Sequence, residues 1–152
     1  MRTSSDAIRL IEKFEGFSPT MYMDAVGLPT IGYGTLLDTK EEEYLKTAVI
    51  SRTEAEVLLR KELAPIEKSL NKMIRVPITQ NQYDALVSFC YNLGCQALRT
   101  STLLRKLNIN PNDPSIQGEF MRWVYAHGKK LNGLIRRRES EAELYFSETP
   151  SY

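Results

Sequence analysis

The chain has 152 residues, about one domain's worth of sequence, and a second full catalytic domain is excluded. Twenty Lys and Arg against nineteen Asp and Glu leave a net charge of +1, far from the basic excess of a protein that lives on nucleic acid. Apolar and charged contents of 42% and 26% are globular proportions and exclude a disordered chain.

Residues 1–64 carry eight basic and eleven acidic side chains, residues 65–152 twelve and eight. The C-terminal part is thus mildly cationic and suited to a polyanionic surface. No run approaches the roughly eighteen apolar residues of a membrane span. Asp6, Arg9, Glu12, Lys13 and Glu15 occupy the region where a signal peptide needs an unbroken apolar stretch. The expectation is a chain with no signal peptide and no integral membrane segment.

Residues 4–15 read as a short helix. Ser4 and Ser5 offer N-caps, Ile8, Ile11 and Phe14 form an apolar stripe, and Gly16 supplies a left-handed stop. Glu15 then sits at the helix C-terminus. From Gly16 to Leu37 the texture changes to glycines, two prolines and β-prone pieces around 21–23 and 30–35, which predicts a small hairpin-like sheet. Thr53 and Glu56 are spaced as a capping box, opening a helix towards Met73 in which Pro65 predicts a kink or a break. Thr79 and Gln82 open the next helix, with Leu86, Val87, Phe89, Cys90 and Leu93 mostly buried and Gly94 closing it. Helical patterns follow around 101–107, 115–126 and 134–146, with Phe120, Trp123 and Val124 as core and His127 as a helix-end residue. The fold class is α+β: one domain, 1–152, with a small lobe at about 14–60 carrying a short antiparallel sheet. A larger all-helical lobe takes about 70–146 plus the N-terminal helix, and a cleft between lobes is the expected ligand site.

Cys90 and Cys95 are five residues apart around a helix end, an awkward spacing for a bridge, and they read as free thiols. With His127 as the single histidine, neither a metal site nor a Ser-His-Asp triad has support. Thr30-Ile31-Gly32-Tyr33-Gly34 mimics a channel filter and part of a dinucleotide fingerprint, but the flanking membrane helices and the third glycine are missing.

What remains is the pair Glu15 and Asp24, nine residues apart, with a helix end and a glycine-punctuated hairpin between them. Glycosidases need one protonated carboxyl to donate to the leaving oxygen and one ionised carboxylate to direct water or stabilise positive charge. The negative end of the helix dipole, with Phe14 and Phe17 nearby, favours the protonated form of Glu15. Asp24 in a wetter turn stays ionised, and the Thr30 hydroxyl can hold a water against it. On spacing alone, a solvated helix-end carboxylate and an ordinary turn former are the better explanation of these residues.

At these positions, however, the sequence resembles the phage-type lysozymes, glycoside hydrolase family 24, whose pattern is Glu, eight residues, Asp, five residues, Thr. The likeness continues through Gln80-Asn81-Gln82-Tyr83-Asp84-Ala85-Leu86-Val87-Ser88-Phe89, Tyr91-Asn92-Leu93-Gly94, Ser101 to Asn108, Gly133-Leu134, Arg137-Arg138 and Glu141. It covers roughly residues 9–146, in the family's order.

The resemblance implies a lysozyme-like fold and a muramidase cutting the β-1,4 bond between N-acetylmuramic acid and N-acetylglucosamine of bacterial peptidoglycan with inversion, for host cell lysis. Glu15, Asp24 and Thr30 would be catalytic and Tyr91 and Asn92 would bind the sugar. Arg137, in preference to Arg138, would be the electrostatic partner of Glu15. No cofactor or metal is implied, and the partners are peptidoglycan and a holin-like membrane protein that releases the monomeric enzyme from the host cytoplasm. Many members carry a histidine where Thr35 stands, so a structural pairing made by that histidine is expected to be missing here. The alternatives are a lytic transglycosylase, which needs a single glutamate, and a non-catalytic wall-binding module.

Overall fold

The computed structural model describes residues 1–148. Among these, eight helices and two small sheets follow the order α1 (Ser5–Glu15), β1 (Ser18–Met23), β2 (Pro29–Gly32), β3 (Thr35–Leu36), α2 (Thr39–Leu45), α3 (Arg52–Met73), α4 (Gln80–Leu93), α5 (Cys95–Arg99), α6 (Thr102–Ile109), α7 (Ile116–Phe120), β4 (Tyr125–Ala126), β5 (Lys129–Lys130) and α8 (Asn132–Tyr145). The class is α+β. Two compact units divide the chain: Ile8–Ala64, and Met1–Ala7 together with the residues from Pro65 onward. Most of α1 therefore belongs to the smaller unit.

In the smaller unit α1 ends where the sequence places its stop. Gly16 has φ +70°, a conformation glycine adopts without Cβ strain, and its N–H closes on the Glu12 carbonyl at 3.1 Å. The sheet has the order β1-β2-β3, all antiparallel, with Tyr22 opposite Thr30 and Met23 opposite Pro29. Between the pairs Ser18–Gly32 and Tyr22–Thr30 the register shifts, four steps along β1 passing two along β2, and such a bulge bends and twists the ribbon. Ile31 and Tyr33 turn into a core with Ile8, Ile11, Ile50, Ala55, Leu59 and Leu63.

Thr35 is buried on β3, and its hydroxyl has no hydrogen-bond partner among the described residues. A buried, unsatisfied hydroxyl costs about 1–3 kcal/mol. Thr35→Val, nearly the same shape without the hydroxyl, is expected to raise unfolding stability by about 1 kcal/mol. Urea denaturation checks this, and an unchanged or lower midpoint would mean that the hydroxyl is satisfied in solution.

Three expectations need correction. A helix absent from the sequence reading, α2, is capped by Asp38, whose side chain accepts from the Glu41 N–H while Glu41 caps back. None of its residues is buried, so it lacks the apolar stripe that marks a helix in sequence. The cap of α3 is Ser51 with Glu54, each accepting from the other's backbone N–H at 3.1–3.2 Å, rather than Thr53 with Glu56. Of the kink or break expected at Pro65, the break does not occur: the helix continues through it. Proline leaves the carbonyl four residues earlier without a donor, and that residue, Lys61, is exposed like Pro65 itself, so the break in the hydrogen-bond ladder falls on the solvent side of the helix.

In the larger unit α4 is buried from Asn81 to Cys90, as befits a central helix, while Leu93 is half-buried. The Thr79/Gln82 capping box is present in both directions. The polar groups that α4 carries inward find partners: Asp84 accepts from the Ser4 N–H at 3.1 Å and Gln80 Nε2 at 2.8 Å, and Ser88 Oγ donates to Glu141 at 2.6 Å. Phe89 stands edge-on to Phe120 and Trp123 at 5.9 and 5.6 Å.

The helix expected over 115–126 stops at Phe120, and the larger unit is not wholly helical. The chain instead pairs Tyr125 with Lys130 and Ala126 with Lys129. His127 (φ +51°) and Gly128 (φ +75°) form the two-residue loop. Positive φ at both positions is the hairpin turn compatible with strand twist. His127 is thus a turn residue.

Candidate active site

Glu15 is the last residue of α1 and is half-buried. Asp24 and Thr30 lie on the β1–β2 hairpin that follows, and all three belong to the smaller unit.

The hairpin loop is organised by Asp24 itself. Its N–H donates to the Leu28 carbonyl at 2.9 Å and its carbonyl accepts from Gly27 at 2.9 Å. Its side-chain Oδ1 accepts from the N–H groups of Val26 at 3.0 Å and Leu28 at 2.8 Å. An aspartate that caps its own turn is a common loop device, and here it fixes the carboxylate's orientation. Two backbone donors occupy Oδ1, whereas Oδ2 has no hydrogen-bond partner among the described residues.

Thr30 is buried and sits opposite Tyr22 in the ladder. Directly opposed side chains share a face, and residues two further along are diagonal neighbours on it, so the pairing sets Thr30 beside Asp24. The Thr30 hydroxyl donates to the Leu28 carbonyl at 3.0 Å. Its proton is therefore committed, and its oxygen is left as an acceptor. The same residue, Leu28, anchors both side chains, one through its N–H and the other through its carbonyl.

Tyr91, Asn92 and Arg137 belong to the larger unit. Tyr91 and Asn92 are half-buried on the last turn of α4. Asn92 Oδ1 accepts from an Arg138 terminal nitrogen at 2.8 Å, which fixes the amide with its NH2 group turned away from that contact. The arginines differ. Arg138 is fully buried, its Nε 2.7 Å from Glu141 Oε1, with its guanidinium 5.2 Å from the Phe89 ring centroid. Arg137 Nε lies 3.4 Å from Glu141 Oε2, and a terminal nitrogen of Arg137 lies 3.4 Å from the Ser88 carbonyl. Glu141 is the hub of this group. Burial pushes its carboxyl up from the usual range, and Arg138, Ser88 and Arg137 pull it back. No spacing rule marks this hub: the Arg137, Arg138 and Glu141 triplet reads as a helix face, and only the resemblance singled it out.

No group of three or more His, Cys, Asp or Glu able to hold a metal occurs among the described residues. No helix there is long and apolar enough to cross a membrane.

Comparison with known proteins identifies the family. The phage lysozyme family model matches residues 12–141. The endolysin of Acyrthosiphon pisum secondary endosymbiont phage 1 is 39% identical over 97% of this chain and 99% of its own length. The endolysin of Bacillus phage B103 is also 39% identical, but the chain spans only 55% of that longer protein. A crystal structure of a phage P22 lysozyme variant superposes with a TM-score of 0.85 at 34% identity, covering 97% of this chain and 99% of that one. By family model, full-length identity and fold, the chain belongs to the phage lysozyme family, the cell-wall-lytic glycoside hydrolases that include the phage endolysins.

Proposed function

We propose that the protein is an inverting muramidase in which Glu15 is the general acid and Asp24 with Thr30 positions the attacking water. The observation that carries this reading is the polarity of the hairpin acceptors. Among the described residues Asp24 Oδ2 has no hydrogen-bond partner, and the Thr30 hydroxyl has its proton spent on Leu28. A water donating one hydrogen to each presents a lone pair outward, towards the sugar carbon. Glu15 gives its proton to the glycosidic oxygen as the C–O bond breaks, and the water attacks C1 from the opposite face. Asp24 takes the water's proton, and solvent returns it to Glu15. One water is consumed, and the anomeric configuration inverts.

In this reading Asn92, held by Arg138, donates its amide hydrogens to a sugar carbonyl or hydroxyl, and Tyr91 lines the same subsite. Arg137 is the electrostatic partner of Glu15, as the family resemblance implies, while Arg138 is fully buried against Glu141 and Asn92. The substrate is the β-1,4 bond between N-acetylmuramic acid and N-acetylglucosamine, with no cofactor. The enzyme acts as a monomer reaching the wall after a holin-like partner opens the membrane. Mass analysis of fragments from purified peptidoglycan tests this directly. Reducing N-acetylmuramic acid ends are expected, whereas anhydro ends would identify a transglycosylase and no product a binding module. Proton NMR during digestion should show the α-anomer first, and initial β-anomer would overturn inversion.

A double-mutant cycle tests the shared water. If Asp24 and Thr30 hold one nucleophile, Asp24→Asn and Thr30→Val should each slow hydrolysis, and the double variant should be only slightly slower than the worse single. Groups that act as a unit are strongly non-additive. Fully multiplicative losses, or a Thr30→Val rate equal to wild type, would remove Thr30 from the site.

A further inference from the structure

A cavity of about 540 Å³ lies wholly within the smaller unit, and its walls include Arg9, Glu12 and Lys13 of α1 together with Phe17, Tyr33 and Arg52. Arg9, Glu12 and Lys13 are spaced i, i+3 and i+4 and therefore share one face of the helix. Glu15 is not among the lining residues. At 3.6 residues per turn it points roughly 110° around α1 from the middle of that face, so the cavity is separate from the site described above.

Arg52 is held in place for recognition. Its guanidinium carbon is 4.5 Å from the Phe17 ring centroid, and Phe17 packs at 5.4 Å on the buried Tyr33 ring, whose hydroxyl accepts from an Arg52 terminal nitrogen at 3.5 Å. A guanidinium carries five N–H donors, and that tether uses one. Lys13 is exposed, its ammonium 5.5 Å from the Phe14 ring centroid. Glu12 is half-buried, and burial, with the Glu56 carboxylate close by, holds its carboxyl above the usual range while Arg52, Arg60 and Arg9 act the other way. Opposite charges thus line one cavity, yet Glu12, Lys13 and Arg52 form no ion pair among the described residues.

We infer that this cavity is a binding site for a small ligand bearing two carboxylates and one ammonium: an acidic amino acid, or a short acidic peptide with a free N-terminus. Arg52 takes one carboxylate with its planar fork, Lys13 takes the second, and Glu12 takes the ammonium. Charge matching separates this class from a simple anion. Glu12 repels a dicarboxylate, Arg52 and Lys13 repel a diamine, and only a ligand of both signs satisfies all three groups. The site does not depend on the hydrolytic roles proposed for Glu15, Asp24 and Thr30.

Three probes built on the same carbon chain test this on the intact protein: glutamate, glutarate, which lacks the ammonium, and norvaline, which lacks the second carboxylate. In nitrogen–proton correlation NMR, glutamate should shift the Arg52 Nε–H and the Gly16 and Phe17 amides with a dissociation constant on the order of 1 mM. Glutarate and norvaline should bind at least about tenfold more weakly. Glu12→Gln should weaken glutamate about tenfold and tighten glutarate, a reversal that a surface merely attracting anions does not show. Lys13→Gln should reduce glutamate to the norvaline level, and the same spectra report whether each variant is folded. Alanylglutamate binding more tightly than glutamate assigns the peptide as occupant, and weaker binding assigns the free amino acid. On wild type, glutarate binding as well as glutamate, or no saturable shift with glutamate or alanylglutamate below ~20 mM, would overturn the inference. So would a folded Glu12→Gln variant with unchanged glutamate affinity.

Discussion

Replacing Glu15 by glutamine is expected to slow clearing of permeabilised cells by at least ~10²-fold while leaving the fold in place. General acid catalysis is typically worth 10²–10⁴-fold, and an amide of the same shape has no proton of suitable acidity to give the leaving oxygen. The fold should survive because α1 is terminated by backbone geometry: Gly16 turns the chain with positive φ and bonds back to Glu12, neither of which uses the Glu15 carboxyl. Turbidity assays with circular dichroism on the same sample check both halves. A native spectrum with more than about a tenth of the wild-type rate would exclude Glu15 as the acid.

Arg138→Met is expected to destabilise the protein by about 3–5 kcal/mol, the usual consequence of removing one partner of a buried ion pair. At roughly 2–4 °C per kcal/mol for a chain of this size, the melting temperature should fall by about 6–20 °C. The physical cause is the Glu141 carboxylate, completely inaccessible to solvent, which would lose its 2.7 Å contact and keep, among the described residues, Arg137 at 3.4 Å and Ser88. The diagnostic variant is Arg138→Met with Glu141→Leu. Apolar replacement of both members of a buried pair is often neutral, so the double variant should recover most of the loss, short of about 1 kcal/mol for the Ser88 hydroxyl left without its acceptor. Thermal and urea melts of both variants decide it. A double variant no more stable than Arg138→Met would place the cost in lost packing against Phe89 instead.

Much of this molecule was legible along the chain because its signals are local. The Gly16 stop, the Thr79/Gln82 box and the Asp24–Leu28 turn each involve residues within five positions of one another. Local signals also mislead when two compete. Ser51/Glu54 and Thr53/Glu56 have the same capping spacing, and the earlier one opens α3, with Ser51 and Glu54 each accepting from the other's backbone N–H. The capping box of Asp38 and Glu41 was equally visible, but without an apolar stripe behind it nothing marked α2 as a helix. The positive-φ pair His127 and Gly128 turned an expected helix into a hairpin, a choice that depends on Trp123 and Val124 finding the Phe89 cluster and the core.

For the site, the sequence by itself determined that Glu15 ends a helix and that Asp24 and Thr30 share the hairpin after it, because helix stops and turns are decided within a few residues. It also carried the family pattern. Only the tertiary structure decided which atoms are available. The Leu28 carbonyl turns the Thr30 hydroxyl into an acceptor, and the Leu28 and Val26 N–H groups leave Asp24 with one uncommitted oxygen. Arg138, 46 residues from Asn92, holds its amide while Glu141 holds Arg138. The hydrogen-bonding capacity of a side chain is set by its partners, and partners this distant in sequence become neighbours only when α4 and α8 pack.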